Sequence, residues 1–134
     1  MKVMLDTNTC IAIIKKKPPQ ALRRFRSYKV GDIGVSSVTL AELEFGVAKS
    51  THRERNLEAL EEFISPLEIA GFGQDEARVY GQVRAALEKQ GTPIGALDTM
   101  IAAHALSLGV TVATNNTKEF SRVSGLKLID WLES

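Results

Sequence analysis

The chain has 134 residues, with 17 Lys and Arg against 16 Asp and Glu and a formal charge of +1, a length that fits one domain burying about two-thirds of the surface its unfolded form exposes. So small a net charge makes whole-molecule attraction to nucleic acid weak, and any phosphate-binding surface must be local. The single cysteine, Cys10, excludes a disulfide framework, and no run approaches the roughly twenty apolar residues of a membrane span or the charged start and apolar core of a signal peptide, so a cytoplasmic setting is expected.

Residues 2–5 include the apolar run Val3-Met4-Leu5, which predicts a buried strand ending on Asp6. Cys10, Ile11 and Ile14 give 8–16 a helical pattern that stops before Pro18-Pro19, because the residue before a proline avoids helical geometry. A short helix follows over about 20–27. Residues 33–36 read as a strand and 38–49 as a helix, with Leu43, Val47 and Phe45 available to the core. Leu57, Leu60 and Ile64 predict a helix over 53–65, and 67–69 a short edge strand. Ala77, Tyr80, Val83 and Leu87 predict a helix over 75–90 that Gly91 ends. The next helix carries Leu97, Ile101, Ala105 and Leu108 on one stripe and stops at Gly109. A β-branched run at 110–114, a short helix to about 123 and a last strand at 126–129 complete the chain. Alternating strands and helices of this kind imply an α/β fold with a parallel sheet covered on both faces.

Three acids stand where such a sheet gathers its chemistry. Asp6 ends the first strand, and Glu42 and Asp98 open later helices. In an open parallel sheet, strand ends and helix starts converge on one edge, where ligands bind. Three acids brought together there repel one another unless a cation neutralises them, which points to a hard-metal site for Mg²⁺ or Mn²⁺. Each acid also has a purely structural explanation. Glu42 could close a capping box begun by Thr39, Glu119 one begun by Asn116, Asp98 could complement its helix dipole, and Asp6 could cap the helix after it. Three independent caps have no reason to converge beside Thr7, Asn8, Thr114, Asn115 and Asn116, so jointly the metal reading leads.

From Lys15 to Lys29 the chain holds Lys15, Lys16, Lys17, Arg23, Arg24, Arg26 and Lys29 with no acid between them, whereas 54–76 is rich in Glu. One face thus suits phosphates and another does not. Phe25 and Tyr28 are available for stacking on bases. His104 reads as a satisfied helix histidine rather than a ligand, since an all-oxygen site needs no imidazole, and Cys10 as a small buried apolar residue.

Met4-Leu5-Asp6-Thr7-Asn8, the run from Ser36 to Leu43, Pro93-Ile94-Gly95-Ala96-Leu97-Asp98, the run from Thr114 to Phe120 and the closing Asp130-Trp131 resemble the PIN-domain ribonucleases, and among them the VapC toxins of bacterial type II toxin-antitoxin modules. The resemblance implies a single PIN domain over 1–134, a three-layer α/β/α sandwich, and a Mg²⁺-dependent endoribonuclease leaving 5′-phosphate and 3′-hydroxyl ends. It further implies inhibition by a VapB-type antitoxin, a homodimer with the helices of 38–65 as its surface, and cleavage of the tRNA anticodon stem-loop, with initiator tRNA favoured. By position, Asp6, Glu42 and Asp98 match the family's metal-binding acids. A further acid is often found where this chain has Asn116; Glu119 could supply the missing carboxylate. Thr7, Asn8, Thr114, Asn115 and Asn116 then hold the carboxylates or touch phosphate. Two other enzyme classes also begin with a strand ending in Asp. Haloacid-dehalogenase phosphatases need a second acid where Asn8 stands, and receiver domains need a later Asp and Lys that are absent. A non-catalytic binding module is the remaining alternative.

Overall fold

The computed structural model describes residues 1–133. In chain order its elements are β1 (Val3–Leu5), α1 (Thr7–Lys15), α2 (Pro19–Arg26), β2 (Ile33–Ser36), α3 (Ser37–Ala48), α4 (Arg53–Ile64), β3 (Glu68–Ala70), α5 (Gln74–Lys89), α6 (Ala96–Leu108), β4 (Thr111–Ala113), α7 (Thr117–Phe120) and β5 (Leu128–Ile129). All strand pairings are parallel, in the order β3-β2-β1-β4-β5. Crossovers run outward from β1 to β2 and β3, then return across the sheet to β4. The direction therefore reverses between β1 and β4, and the crevice at their carboxyl ends is where ligands bind in such sheets.

The pleat divides β1 between two cores. Val3 and Leu5 face the layer of α1, α2, α3 and α4, with Cys10, Leu43, Leu60 and Trp131. Met4 faces the opposite layer, with Leu87, Ile101, Val112 and Phe120. The sheet is thus covered on both faces, as its near-continuous apolar strands require. Gly34 in β2 allows a close approach. A Cβ there would collide with the Met1 side chain and the carbonyl oxygen of Glu68 on β3.

Helix ends follow local rules with small departures from the sequence reading. α2 starts at Pro19, one residue earlier than expected, because a first-turn proline loses no hydrogen bond and arrives with helical φ. Lys16 takes a left-handed conformation (φ 59°) and donates its N–H to the carbonyls of Ala12 and Ile13, stopping α1 before the prolines. Gly91 (φ 73°) and Gly109 (φ 68°) end α5 and α6 as expected. Several apolar side chains on the expected helical stripes are exposed, among them Ile11 and Leu57. Phe45 is 64% exposed; it sits two residues past the buried Leu43, about 200° round the helix, under the Lys49 ammonium at 5.1 Å. Leu97 and Leu108 are also exposed. A helix of 13 residues is about 20 Å long and overruns strands of only three residues, about 10 Å, so both ends of its apolar stripe project past the sheet.

Candidate metal centre

Asp6 continues the β1 ladder, its N–H donating to the Ala113 carbonyl at 3.0 Å. It also caps α1, with Oδ1 accepting the N–H of Thr9 at 2.9 Å. The capping explanation is therefore correct as far as it goes. Yet the carboxyl is buried, and burial pushes its pKa up against the opposing hydrogen bonds of Thr114 and Thr9, while the charge of Asp130 pushes it further up. A buried anion with another acid nearby is a costly cap, and a cation relieves it.

The capping explanation fails for Glu42. α3 is capped by Ser36, whose Oγ accepts the N–H of Val38 at 3.1 Å, so Thr39 lies inside the first turn. The Glu42 carboxylate instead accepts the Thr7 hydroxyl at 2.7 Å, a tie between α3 and the start of α1. Asp98 stands in the first turn of α6, as expected. Burial raises its pKa first, then the charges of Asp6, Glu119 and Glu42 in that order, while a hydrogen bond from Asn116 lowers it. One carboxyl thus feels three others. Glu119 is no backbone cap either. Its Oε2 accepts the Asn116 side-chain amide at 2.9 Å, while the Asn116 backbone N–H donates to the Thr114 hydroxyl at 2.9 Å.

Asp6, Glu42, Asp98 and Glu119 accordingly share one electrostatic field at the β1/β4 switch point, with Thr7, Thr114 and Asn116 bonded to or beside them. Asn8 and Asn115 are exposed, and neither makes a side-chain hydrogen bond among the described residues. Among those residues no three acidic, imidazole or thiol side chains are drawn up around one coordination point. The donors are all oxygen, and Asp6 and Asp98 among them carry raised pKa values, which fits a hard divalent cation and no soft metal. Sequence reasoning missed the electrostatic part of Asp130, whose own Oδ1 accepts the N–H groups of Leu132 and Glu133. Only its distant sheet position, after β5, brings it to Asp6.

The expected basic surface divides. Lys15 and Glu42 line one cleft of about 330 Å³, with Ile11, Ile14, Leu43 and Val47, between α1, α3 and α4. Lys16, Lys17, Arg23, Arg24 and Arg26 are exposed, and none is in an ion pair among the described residues. Phe25 and Tyr28 pack inward on Phe63 and Trp131, with ring centroids 5.8 and 5.4 Å apart, which commits one face of each ring. Cys10 is buried, and no helix among the described residues is long and apolar enough to cross a membrane.

A doubly wound parallel sheet with carboxylates at its switch point suits a class of protein that works on phosphate esters with a divalent ion. The sequence pattern of the PIN domain matches residues 3–126, and the chain belongs to the PIN-domain family. It is 47% identical over 131 residues to the tRNA(fMet)-specific endonuclease VapC of Shigella flexneri, covering 98% of both chains. It is 43% identical over 132 residues to the ribonuclease VapC2 of Haemophilus influenzae, covering 98% of this chain and 99% of that one. Among solved structures, that of DNA-bound VapBC from Salmonella typhimurium matches with a TM-score of 0.92 at 47% identity, covering 98% of each chain.

Proposed function

We propose that the chain is the ribonuclease of a VapBC-type toxin-antitoxin pair, that Mg²⁺ held by Asp6, Glu42 and Asp98 is its cofactor, and that initiator tRNA, cut in the anticodon stem-loop, is its substrate. The observation that carries the metal assignment is the gathering of Asp6, Glu42, Asp98 and Glu119 at the end of β1, where each of the other three charges acts on Asp98. The RNA substrate follows from the 47% identity to a tRNA(fMet)-specific endonuclease. A cell interior holding tRNA is the setting it requires. A bound divalent ion supplies Lewis acidity, acidifying water near neutral pH and offsetting charge on the phosphoryl oxygens. The chain's own groups hold and orient. Thr7 fixes Glu42, and Asn116 holds Glu119 and sits beside Asp98, whose carboxylate it favours. That leaves Glu119 Oε1 without a partner among the described residues and able to take the proton of the attacking water. The unpaired cations of α2 and of the α1 end face phosphate.

The apolar cleft opens on Glu42 and suits an antitoxin segment whose basic side chain reaches the carboxylates; an Arg fork pairs with them best. The exposed Phe45 and Leu57 on α3 and α4 offer an apolar surface for a homodimer, which sedimentation velocity would detect. For the reaction, the full chain is incubated with total tRNA and Mg²⁺, with and without EDTA, beside Asp98→Asn, and cut ends are mapped by sequencing. Discrete cuts with 5′-phosphate ends, lost with chelator and in the variant, are expected. Cutting that survives EDTA overturns the metal assignment. Absence of cuts in any tested RNA, from a folded chain free of antitoxin, returns the fold to a binding role.

A further inference from the structure

The two helices that carry Glu42 and Asp98 are joined away from the carboxylates by His104. Its ring is fully buried on α6, and Nδ1 lies 2.8 Å from the hydroxyl of Ser36. Ser36 ends β2 and caps α3, its Oγ accepting the N–H of Val38 at 3.1 Å. The next hydroxyl, on Ser37, accepts the N–H of Phe72 at 3.0 Å. The Phe72 ring in turn meets the imidazole edge-on, with centroids 5.6 Å apart. One junction thus binds the middle of α6, the first turn of α3 and the loop before α5.

Its place on both helices gives it leverage. Glu42 follows Ser36 by six positions on α3 and Asp98 precedes His104 by six on α6, each about 9 Å along a stiff axis. A shift at the junction therefore moves one carboxylate against the other. Ser36 Oγ accepts from Val38 and keeps both a proton and a second lone pair, so it can serve either neutral tautomer at Nδ1, and Nε2 is the ring's other nitrogen. That nitrogen is buried with no partner among the described residues. Burial lowers the histidine pKa and the charge of Glu76 on α5 opposes it, which agrees with a neutral ring.

We infer that His104 is a positioning residue for the metal centre, fixing through Ser36 the separation of Glu42 and Asp98 and thereby the affinity for divalent ions. The inference rests on the proposed reading of those acids as ligands. The rival is a histidine that merely fills space, and side-chain length separates the two. Asn places its amide where Nδ1 now lies, and either end of it can bond Ser36, whereas Gln reaches only toward the Nε2 position and Leu makes no bond. Mn²⁺ alone is titrated into the full chain, with free Mn²⁺ read by electron paramagnetic resonance, for wild type, His104→Asn, His104→Gln and His104→Leu. Wild type and Asn are expected to agree within about threefold, and Gln and Leu to bind about tenfold to a hundredfold more weakly, as the loss of an orienting partner does elsewhere. Gln or Leu binding as wild type does, or Asn no tighter than Gln, overturns the inference. If Leu does not fold, the comparison of Asn with Gln decides. A wild-type chain that binds no Mn²⁺ overturns the reading of the acids, and the inference with it, whereas wild-type binding with unaltered Gln overturns the inference alone.

Discussion

Asn116 carries no charge, yet its amide donates to Glu119 Oε2 at 2.9 Å and lies close enough to Asp98 to oppose the rise of its pKa. Two N–H donors on one nitrogen can hold two carboxylates that would otherwise separate. In Asn116→Asp both donors are exchanged for a fifth negative group. Without divalent ions this variant should unfold about 1–3 kcal/mol more easily, the usual consequence of stranding partly buried polar groups, read as a lower Tm in EDTA at low salt. Mg²⁺ should recover much of the loss by binding the added carboxylate. An unchanged Tm in EDTA would mean that the amide bonds carry no weight. The acids also give a pH dependence of defined sign. Asp6 and Asp98 both have folded pKa values above the ordinary 3.8, so between the ordinary and the raised values the folded chain holds more protons than the unfolded one. Unfolding free energy then falls as pH rises through that window. The contribution of these groups is complete below 3.8 and lost above the raised values. Other acids titrate in the same range, so the informative quantity is the difference between wild type and Asp98→Asn. In denaturant melts without divalent ions, the variant should gain stability relative to wild type as pH rises through the window, and a constant difference would contradict the assignment.

What the helices and strands owe to local rules was legible before any coordinates, and what they owe to one another was not. Asp6 at a strand end, Asp98 in a first turn and the stops at Gly91 and Gly109 follow from nearest-neighbour chemistry. Ser36, Ser37 and Thr39 all offer a hydroxyl near the start of α3, and only the tertiary position of that start selects Ser36 as its cap. The tie from Thr7 to Glu42 spans 35 residues and that from Ser36 to His104 spans 68, separations at which sequence pattern carries no register. Exposure of Phe45 and Leu97 was hidden for the same reason, since helical period names a stripe without saying how far the partner layer extends. Gly34 shows a similar limit. The sequence marks it as a weak strand residue, whereas the structure makes it the point where β3 and Met1 come closest. Gly34→Ala should therefore destabilise by about 1–3 kcal/mol through overpacking, despite the better strand propensity of Ala. A chemical melt that gave an equal or higher midpoint would show that the edge strand simply gives way.

Across the whole molecule, acids and bases are unevenly spread, and two binding tasks are separated. α4 presents Glu54, Glu58, Glu61 and Glu62 to solvent, while the end of α1 and α2 present Lys17, Arg23 and Arg24. Each phosphate contact by such a cation contributes about 0.7 to 0.9 to the slope of log affinity against log salt. RNA binding is best measured on Asp98→Asn, so that cleavage does not interfere. Replacing Lys17, Arg23 and Arg24 together by Gln should then flatten the slope by about 2 to 3. Lys15 is different, because it lines the cleft beside Glu42. Its replacement by Gln should change antitoxin affinity as well as the slope, whereas the triple change should leave antitoxin affinity within about twofold, since exposed cations away from an interface contribute little to it. If the triple variant kept the full slope and lost the antitoxin instead, the basic face would belong to the protein partner, and the RNA would have to approach over other cations.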